Sequence, residues 1–454
     1  MDDEKRFTVF SNFEMEIKHR QVVYITGDSG SGKSTLLQEI SSQISARGKG
    51  EFPGDVVSNS SIEIDPNEVL IEGVGKDVGE AISILSMAGL NEAFLMLRKF
   101  KELSDGQKYR YRLARMIDSK ADVWAFDEFA AVLDRTTAKV VSYTLGKTAR
   151  KLGKTVVVAT THEDLLLDLK PDIWVRKGFG DAVSVQFYKN VRQAFPKGCT
   201  LLSDLKIEEC KHGELKELEK FHYRGSNPGI VRKCFKAIIG NELAAGIVFV
   251  FPHFALKGRN IAFPEFRGKT TTKRIRMINE KISRISRVVV HPKFRSIGLG
   301  AEIVRKTLPL APTEIVETMA VMARYNKFFE SAGMIPVQLE EDRNFMNAVK
   351  NLESHTKLRR ELLASKSLNR KILSRMNPKQ LELAIKFALG FCVASKFRRT
   401  ELVPKVHSGD TQALAEALSL VRGNPLYLYW RNPDHSNKAR YGWRTRAIVI
   451  RPCK

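Results

Sequence analysis

Residues 27–34 read Gly27-Asp28-Ser29-Gly30-Ser31-Gly32-Lys33-Ser34, and this octet constrains the first half of the chain more than any other feature. It fits the pattern G-x-x-x-x-G-K-[ST] without a mismatch. The apolar run Val22-Val23-Tyr24-Ile25 predicts a strand running into it, and Thr35-Leu36-Leu37-Gln38-Glu39-Ile40 predicts a helix leaving it. Glycines let main-chain N–H groups close around phosphate oxygens, and the positive end of the following helix points at the same place. In such a loop the lysine, Lys33, reaches the β- and γ-phosphates, and the hydroxyl of Ser34 holds Mg2+. The pattern implies a nucleoside triphosphate site built from residues 27–35.

Three further segments narrow the reading. Leu103-Ser104-Asp105-Gly106-Gln107 precedes a basic amphipathic stretch from Lys108 to Ile117. Val123-Trp124-Ala125-Phe126 predicts a strand buried on both faces, and it ends in Asp127-Glu128. Carboxyl ends of such strands are where α/β sheets place ligands. Val156-Val157-Val158-Ala159-Thr160-Thr161 predicts another buried strand, ending at His162.

In order and spacing these segments resemble the ABC-type ATPases, with Ser104-Asp105-Gly106-Gln107 one residue from the LSGGQ signature. The resemblance implies ATP and Mg2+ as ligands. Asp127 would help Ser34 position Mg2+, Glu128 would polarise the attacking water, and His162 would contact the γ-phosphate. Asp134 would lie in the loop joining two active sites, because the signature of one copy closes on the nucleotide of another. One loop and one signature therefore imply a homodimer. Asp105 departs from the family pattern by putting a charged side chain where a glycine usually faces the γ-phosphate. The family's glutamine loop has only Glu72 as a candidate, in an insert shorter than the one to which transporters dock their membrane subunits.

Arg287-Val288-Val289-Val290-His291-Pro292-Lys293-Phe294-Arg295-Ser296-Ile297-Gly298-Leu299-Gly300 again predicts strand, glycine-bearing turn and helix. This segment resembles the pyrophosphate loop of the GNAT acyltransferases. The resemblance implies acetyl-CoA or another acyl-CoA held by Arg295, Ser296, Gly298, Leu299 and Gly300, with Val289 and Val290 pairing with the pantetheine arm. Many members carry a tyrosine acid where this chain has Phe329, leaving Tyr325 as the substitute. Phe221-His222-Tyr223-Arg224-Gly225-Ser226-Asn227-Pro228 is similar to a Mom-like branch that modifies DNA bases, and it would put His222 and Tyr223 in the acceptor pocket. An ordinary βα turn and a packed corner are the competing readings of these two segments.

Composition bounds the partners. The 454 residues carry a formal charge of +24. Residues 257–306 hold 14 Lys/Arg against 3 Asp/Glu, and residues 396–454 hold 12 against 4. A basic surface gains affinity for nucleic acid by releasing counterions, although a merely solvated basic surface would give the same count. Five scattered cysteines without a C-x-x-C pair favour free thiols and a cytoplasmic setting, and no apolar run is long enough to predict a membrane span.

The expected architecture is an α/β P-loop ABC ATPase domain over residues 1–190, then a GNAT-like α+β domain over 191–340. A basic, mainly helical segment would follow over 341–454, with terminal strands that complete the second sheet, present aromatics and arginines to bases, or do both. The expected activity is an ATPase coupled to acyl transfer onto a base amine. A nucleotide-regulated protein or small-molecule N-acetyltransferase, and a DNA-clamping ATPase with a silent transferase fold, remain as alternatives.

Overall fold

The computed structural model describes residues 9–11, 13–46, 55–90, 93–221, 228–268, 271–320, 323, 326–338, 343–360, 363, 366–392, 396–421 and 426–433. The first sheet contains β1 (Val22–Thr26), β2 (Val56–Ser58), β3 (Val123–Phe126), β4 (Thr155–Thr160), β5 (Ile173–Lys177) and β6 (Val183–Phe187), in the order β2-β3-β4-β1-β5-β6. All ladders are parallel except β5 with β6. β1, β3 and β4 are buried along their whole length, which is why they read as continuous apolar runs. Side chains alternate between faces. Val23 and Ile25 pack with Leu36, Leu37, Ile40 and Ile44 of the helix Lys33–Ala46. Tyr24, Trp124 and Phe126 pack on the other side with the helices Asp105–Asp118 and Arg135–Leu152.

The second sheet contains β7 (Leu205–Cys210), β8 (Val231–Ile239), β9 (Glu242–Val250), β10 (Ile282–Val290), β11 (Ile315–Ala320), β12 (Ile335–Val337) and β13 (Leu426–Arg431). Its order is β12-β13-β11-β10-β9-β8-β7. Every ladder is antiparallel except β10 with β11. That parallel ladder holds only from Ile282↔Ile315 to Arg284↔Glu317. Beyond it β10 stays with β9 as far as Val290, and β11 stays with β13 as far as Ala320, so the sheet opens. A register shift between Ile285 and Arg287 against β9 marks the opening. Bulges of this kind bend a strand and end its pairing on one side.

Helices Arg343–His355, Lys366–Leu373, Pro378–Phe387, Lys396–His407 and Thr411–Ser419 follow β12 and have a core of their own around Leu352, Leu363, Phe387 and Leu414. Asn377 caps the third of them, with Pro378 in its first turn. The expected division at residue 340 is therefore not a division of the chain into successive units. The helices form an insertion between two neighbouring strands, and Leu426–Arg431 returns to lie between β11 and β12. Tyr427 and Leu428 are buried there. Arg440 to Arg444 lie outside the described residues. Among the described residues no helix is long and apolar enough to cross a membrane.

At the opening of the second sheet sits a buried ion pair. Arg259 and Glu317 are both fully buried, with Arg259 Nε 2.9 Å and Nη2 2.5 Å from the two carboxylate oxygens, and the Tyr427 hydroxyl donates to Glu317 over 2.9 Å. Removing one member of such a pair strands the other charge. Glu317→Ala should lower unfolding stability by about 3–5 kcal/mol in a urea titration, whereas Arg259→Met with Glu317→Met should lose far less. Equal losses from the single and double variants would contradict this account.

Candidate functional site: the ATP loop and a second glycine-bearing turn

The turn between β1 and the helix Lys33–Ala46 is built by its glycines. Gly27 has φ +153, and a Cβ there would lie 2.0 Å from the main-chain oxygen of Lys177, so no side chain fits. Gly30 and Gly32 have φ +77 and +96, in the left-handed region that glycine tolerates. Asp28, Ser29 and Gly30 are exposed, Ser31 is buried, and Thr35 faces outward in the first turn of the helix. Lys33 Nζ donates to the Asp28 carbonyl over 2.5 Å. Burial pulls the Lys33 ammonium below its usual range, against the opposing pull of Asp28 and Asp127. Such a half-dehydrated cation is poised for a stronger anion. Ser34 Oγ donates to Asp127 Oδ1 over 2.9 Å. The long-range pairing of a hydroxyl with a carboxylate provides the hard oxygen donors that suit Mg2+, and these two residues would hold it. The metal, when bound, supplies charge neutralisation on phosphate oxygens.

Asp127 is fixed by a residue that sequence reasoning missed. Asn59, just after β2, accepts from Asp127 N at 3.1 Å and donates to Asp127 O at 3.3 Å, while its own N–H reaches Ala125 O at 3.0 Å. The polar run Ser58-Asn59-Ser60-Ser61 after a strand was the only local signal of it. Glu128 is exposed and has φ +48, and Ala130 has φ +60. Left-handed non-glycine residues cost about 1–3 kcal/mol each, and here they turn the Glu128 carboxylate out of the strand at the mouth of the site. His162 follows β4, and its N–H donates to Thr160 Oγ1 over 3.3 Å while its carbonyl accepts from the Tyr24 hydroxyl. Burial and the nearby Arg135 guanidinium lower the affinity of its imidazole for a proton.

Ser104 and Gln107 form a capping box at the start of the helix Asp105–Asp118: Ser104 N donates to Gln107 Oε1 over 3.0 Å, and Gln107 N to Ser104 Oγ over 3.4 Å. Asp105 is exposed and lies 3.5 Å from Lys108. A carboxylate in the first turn favours the helix dipole, which gives a local reason for aspartate here. A Cβ at Gly106 would meet Thr137 Cγ2 at 3.2 Å, a tight fit. Asp134 caps the next long helix by accepting from Thr137 N. Glu72 is exposed and pairs with Lys371 of the helical insertion at 3.7 Å, so its carboxylate is engaged away from Lys33.

Residues 10–131 match the family model described as ABC transporter. An archaeal protein from Pyrococcus furiosus, named as an ABC transporter ATP-binding protein, is 30% identical over 186 residues, covering 35% of this chain and 68% of that one. The chain belongs to the ABC ATP-binding family. The manganese transport system ATP-binding protein MntB of Bacillus subtilis is 28% identical over 44% of this chain and 92% of its own length. A Vibrio vulnificus protein, also named for ABC transport, is 29% identical, and the chain spans only 32% of its length. Among solved structures, a dimeric ABC transporter cassette covers 40% of this chain at 20% identity with a TM-score of 0.32. The family model lies on residues 10–131, and that part is an ATP-binding ABC cassette.

Beyond the ABC cassette, the second loop runs from the end of β10 through His291 to the helix Leu299–Thr307. Val289 is buried and pairs with Gly246, on the β9 side. The Val290 carbonyl accepts from Arg295 Nε over 3.0 Å. The arginine side chain thus folds back on the strand end through Nε as the chain turns. Ser296 has φ +75, and its hydroxyl is buried. Gly298 has φ +92 with open space where a Cβ would stand, and Gly300 has only ordinary contacts with Phe328 and Val290. Leu299 is buried. His222, Tyr223 and Tyr325 lie outside the described residues, but the flanks of the first two are anchored. Phe221 meets His291 edge-on at 4.9 Å, and Pro228 O accepts from Ser286 Oγ at 2.8 Å. Sequence reasoning passed over Arg259, Glu317 and Tyr427, since nothing local in three separate segments marks them as partners.

Two outcomes check this geometry. Asn59→Ala should weaken Mg2+ dependence of ATP binding about 10–100-fold, as loss of a supporting contact to a metal-holding carboxylate does; an unchanged Mg2+ titration would remove Asn59 from the site. By NMR the His162 imidazole should take up its proton at lower pH than an exposed histidine, and Arg135→Ala should move that titration upward. A downward or null shift would contradict the stated cause.

Proposed function

We propose that the chain is an ATP-hydrolysing ABC protein whose second domain is a GNAT-like acyltransferase acting on a base amine of nucleic acid. The observation that carries the transferase reading is the sheet that opens between β10 and β11 beside the Gly298 loop. An opened parallel pair leaves one edge of β10 able to pair with an extended ligand arm, and main-chain donors at the mouth of the following helix suit a pyrophosphate. Gly298, Leu299 and Gly300 would hold that pyrophosphate, with Ser296 and the Arg295 guanidinium at its border, and Val289 would line the arm.

In the ATP half, Lys33 and residues 27–35 grip the phosphates, and Glu128 orients the attacking water. His162 faces the γ-phosphate, with Asp127 and Ser34 placed for the metal. Ser104 to Gln107 and Asp134 belong to the contact with a second copy, in keeping with the exposed Asp105. In the transfer step the acceptor nitrogen would attack the thioester carbonyl and give its proton to His222, the C–S bond would break, and the departing thiolate would take its proton from Tyr325. His222 and Tyr223 are the acceptor-side residues of this reading, and Tyr325 is the acid that would protonate the thiolate.

A second reading has a specific observation in its favour. Phe329 is buried, its ring 4.1 Å from that of Phe328, and it cannot donate a proton. On that ground the same fold would serve a DNA-clamping ATPase with no transfer activity. Calorimetric titration with acetyl-CoA, with Gly298→Glu as control, separates the two: binding lost in the control is expected. Nucleosides from DNA and tRNA incubated with protein, ATP and acetyl-CoA should then carry an acyl mass increment. No binding favours the clamp, whereas label confined to polypeptides or small amines points to an N-acetyltransferase regulated by nucleotide. Glu128→Gln with ATP should sediment as a dimer; a monomer with and without ATP would overturn that part.

A further inference from the structure

Arg110 lies on the signature helix, one turn after Gly106-Gln107, and is only 6% exposed. Its guanidinium leaves its own domain. Nη1 donates to Pro292 O over 3.1 Å and to Gly89 O over 3.4 Å, and Nη2 donates to Lys293 O over 3.4 Å. Lys293 is gripped in turn from two sides: its ammonium reaches the Glu242 carboxylate at 2.7 Å and Asp134 at 3.5 Å. Burial opposes the charge on Lys293, and the two carboxylates more than offset it, holding the ammonium above its usual range. The fit is close as well as polar. A Cβ at Gly89 would lie 2.7 Å from Ser296 Oγ, so the turn is seated directly on the cassette.

We propose that Arg110 and Lys293 are positioning residues which couple the two phosphate loops, so that nucleotide occupancy of the cassette changes the conformation and anion affinity of the Pro292–Gly300 turn. The turn rests on two cassette elements, the signature helix and the Asp134 cap. Both belong to the surface which, in the reading above, closes on a second copy when ATP binds. The inference rests on that reading for the closure. A shift of Asp134 toward a partner either lengthens its pair with Lys293 or carries the turn with it, and a rotation of the signature helix draws on the carbonyls of Pro292 and Lys293 that Arg110 holds. Linkage makes the effect reciprocal: whatever factor ATP applies to the affinity of the turn for its anion, that anion applies to ATP. Coupling of this kind spans about 5- to 150-fold in affinity.

The test uses the full chain carrying Glu128→Gln, with and without Mg-ATP. Amide hydrogen exchange is followed in peptides covering 27–34 and 291–300, and acetyl-CoA affinity is measured by calorimetry in both states. ATP should protect 27–34, alter exchange in 291–300 and shift acetyl-CoA affinity at least about 5-fold. Adding Lys293→Met, which keeps the stem of a partly exposed residue, should suppress the response of 291–300 while 27–34 stays protected. An unchanged 291–300 under a protected 27–34 overturns the coupling, as does a response undiminished by Lys293→Met together with Arg110→Lys. Exchange that responds with no acetyl-CoA binding upholds the coupling and overturns the acyl-CoA reading.

Discussion

The helix Arg135–Leu152 is the part on which the rest of the structure depends, because it is buried from two directions at once. Ala138, Val141, Leu145 and Ala149 pack under the first sheet, whereas Val140, fully buried, belongs to the core of the second, with Tyr143 beside it. A surface helix needs one apolar stripe; this one carries two, and a helix apolar on opposite sides is stable only between two bodies. Asp168 strengthens the junction. It is buried and accepts from both N and Oγ1 of Thr200 at 2.7 Å. Beside it Lys170 Nζ donates to Pro196 O and Gly198 O at 2.6 Å each. A carboxylate so buried is stabilised by hydrogen-bond donors, and both of those named come from Thr200. The cassette is thus incomplete without the residues that follow it.

This junction explains what was legible in the sequence. The Gly27–Ser34 loop was readable because its requirements are local: left-handed glycines, a strand before, a helix after. The signature and Asp127-Glu128 were readable for the same reason, since each sits at an element boundary that its own neighbours define. Asn59 was not, because its partner Asp127 lies 68 positions away and the two meet only when β2 pairs with β3. The strand order of the second sheet was equally hidden. Nothing near Leu426-Tyr427-Leu428-Tyr429 says that it returns across a helical insertion to pair with Ile315–Ala320. Arg259, Glu317 and Tyr427 come from three such segments, and only the sheet brings them together.

Charge is the property that composition misrepresents most. Residues 257–306 look like a uniformly basic stretch, yet several of those cations are spent inward. Arg259, Arg274 and Arg287 are buried; the first pairs with Glu317, the second donates to Phe266 O and Gly268 O, and the third pairs with Glu219. Lys293 and Arg295 serve the turn, while Arg305 and Lys306 share Glu302. Lys257, Arg267, Lys273, Arg276 and Lys281 are exposed, three of them on the helix Thr272–Lys281, where Arg276 pairs with Glu280. Screening confines the field of each exposed charge to about 8–10 Å at physiological salt, so the buried cations add little to the surface. The count of charges in the sequence therefore says less than which of them reach the surface.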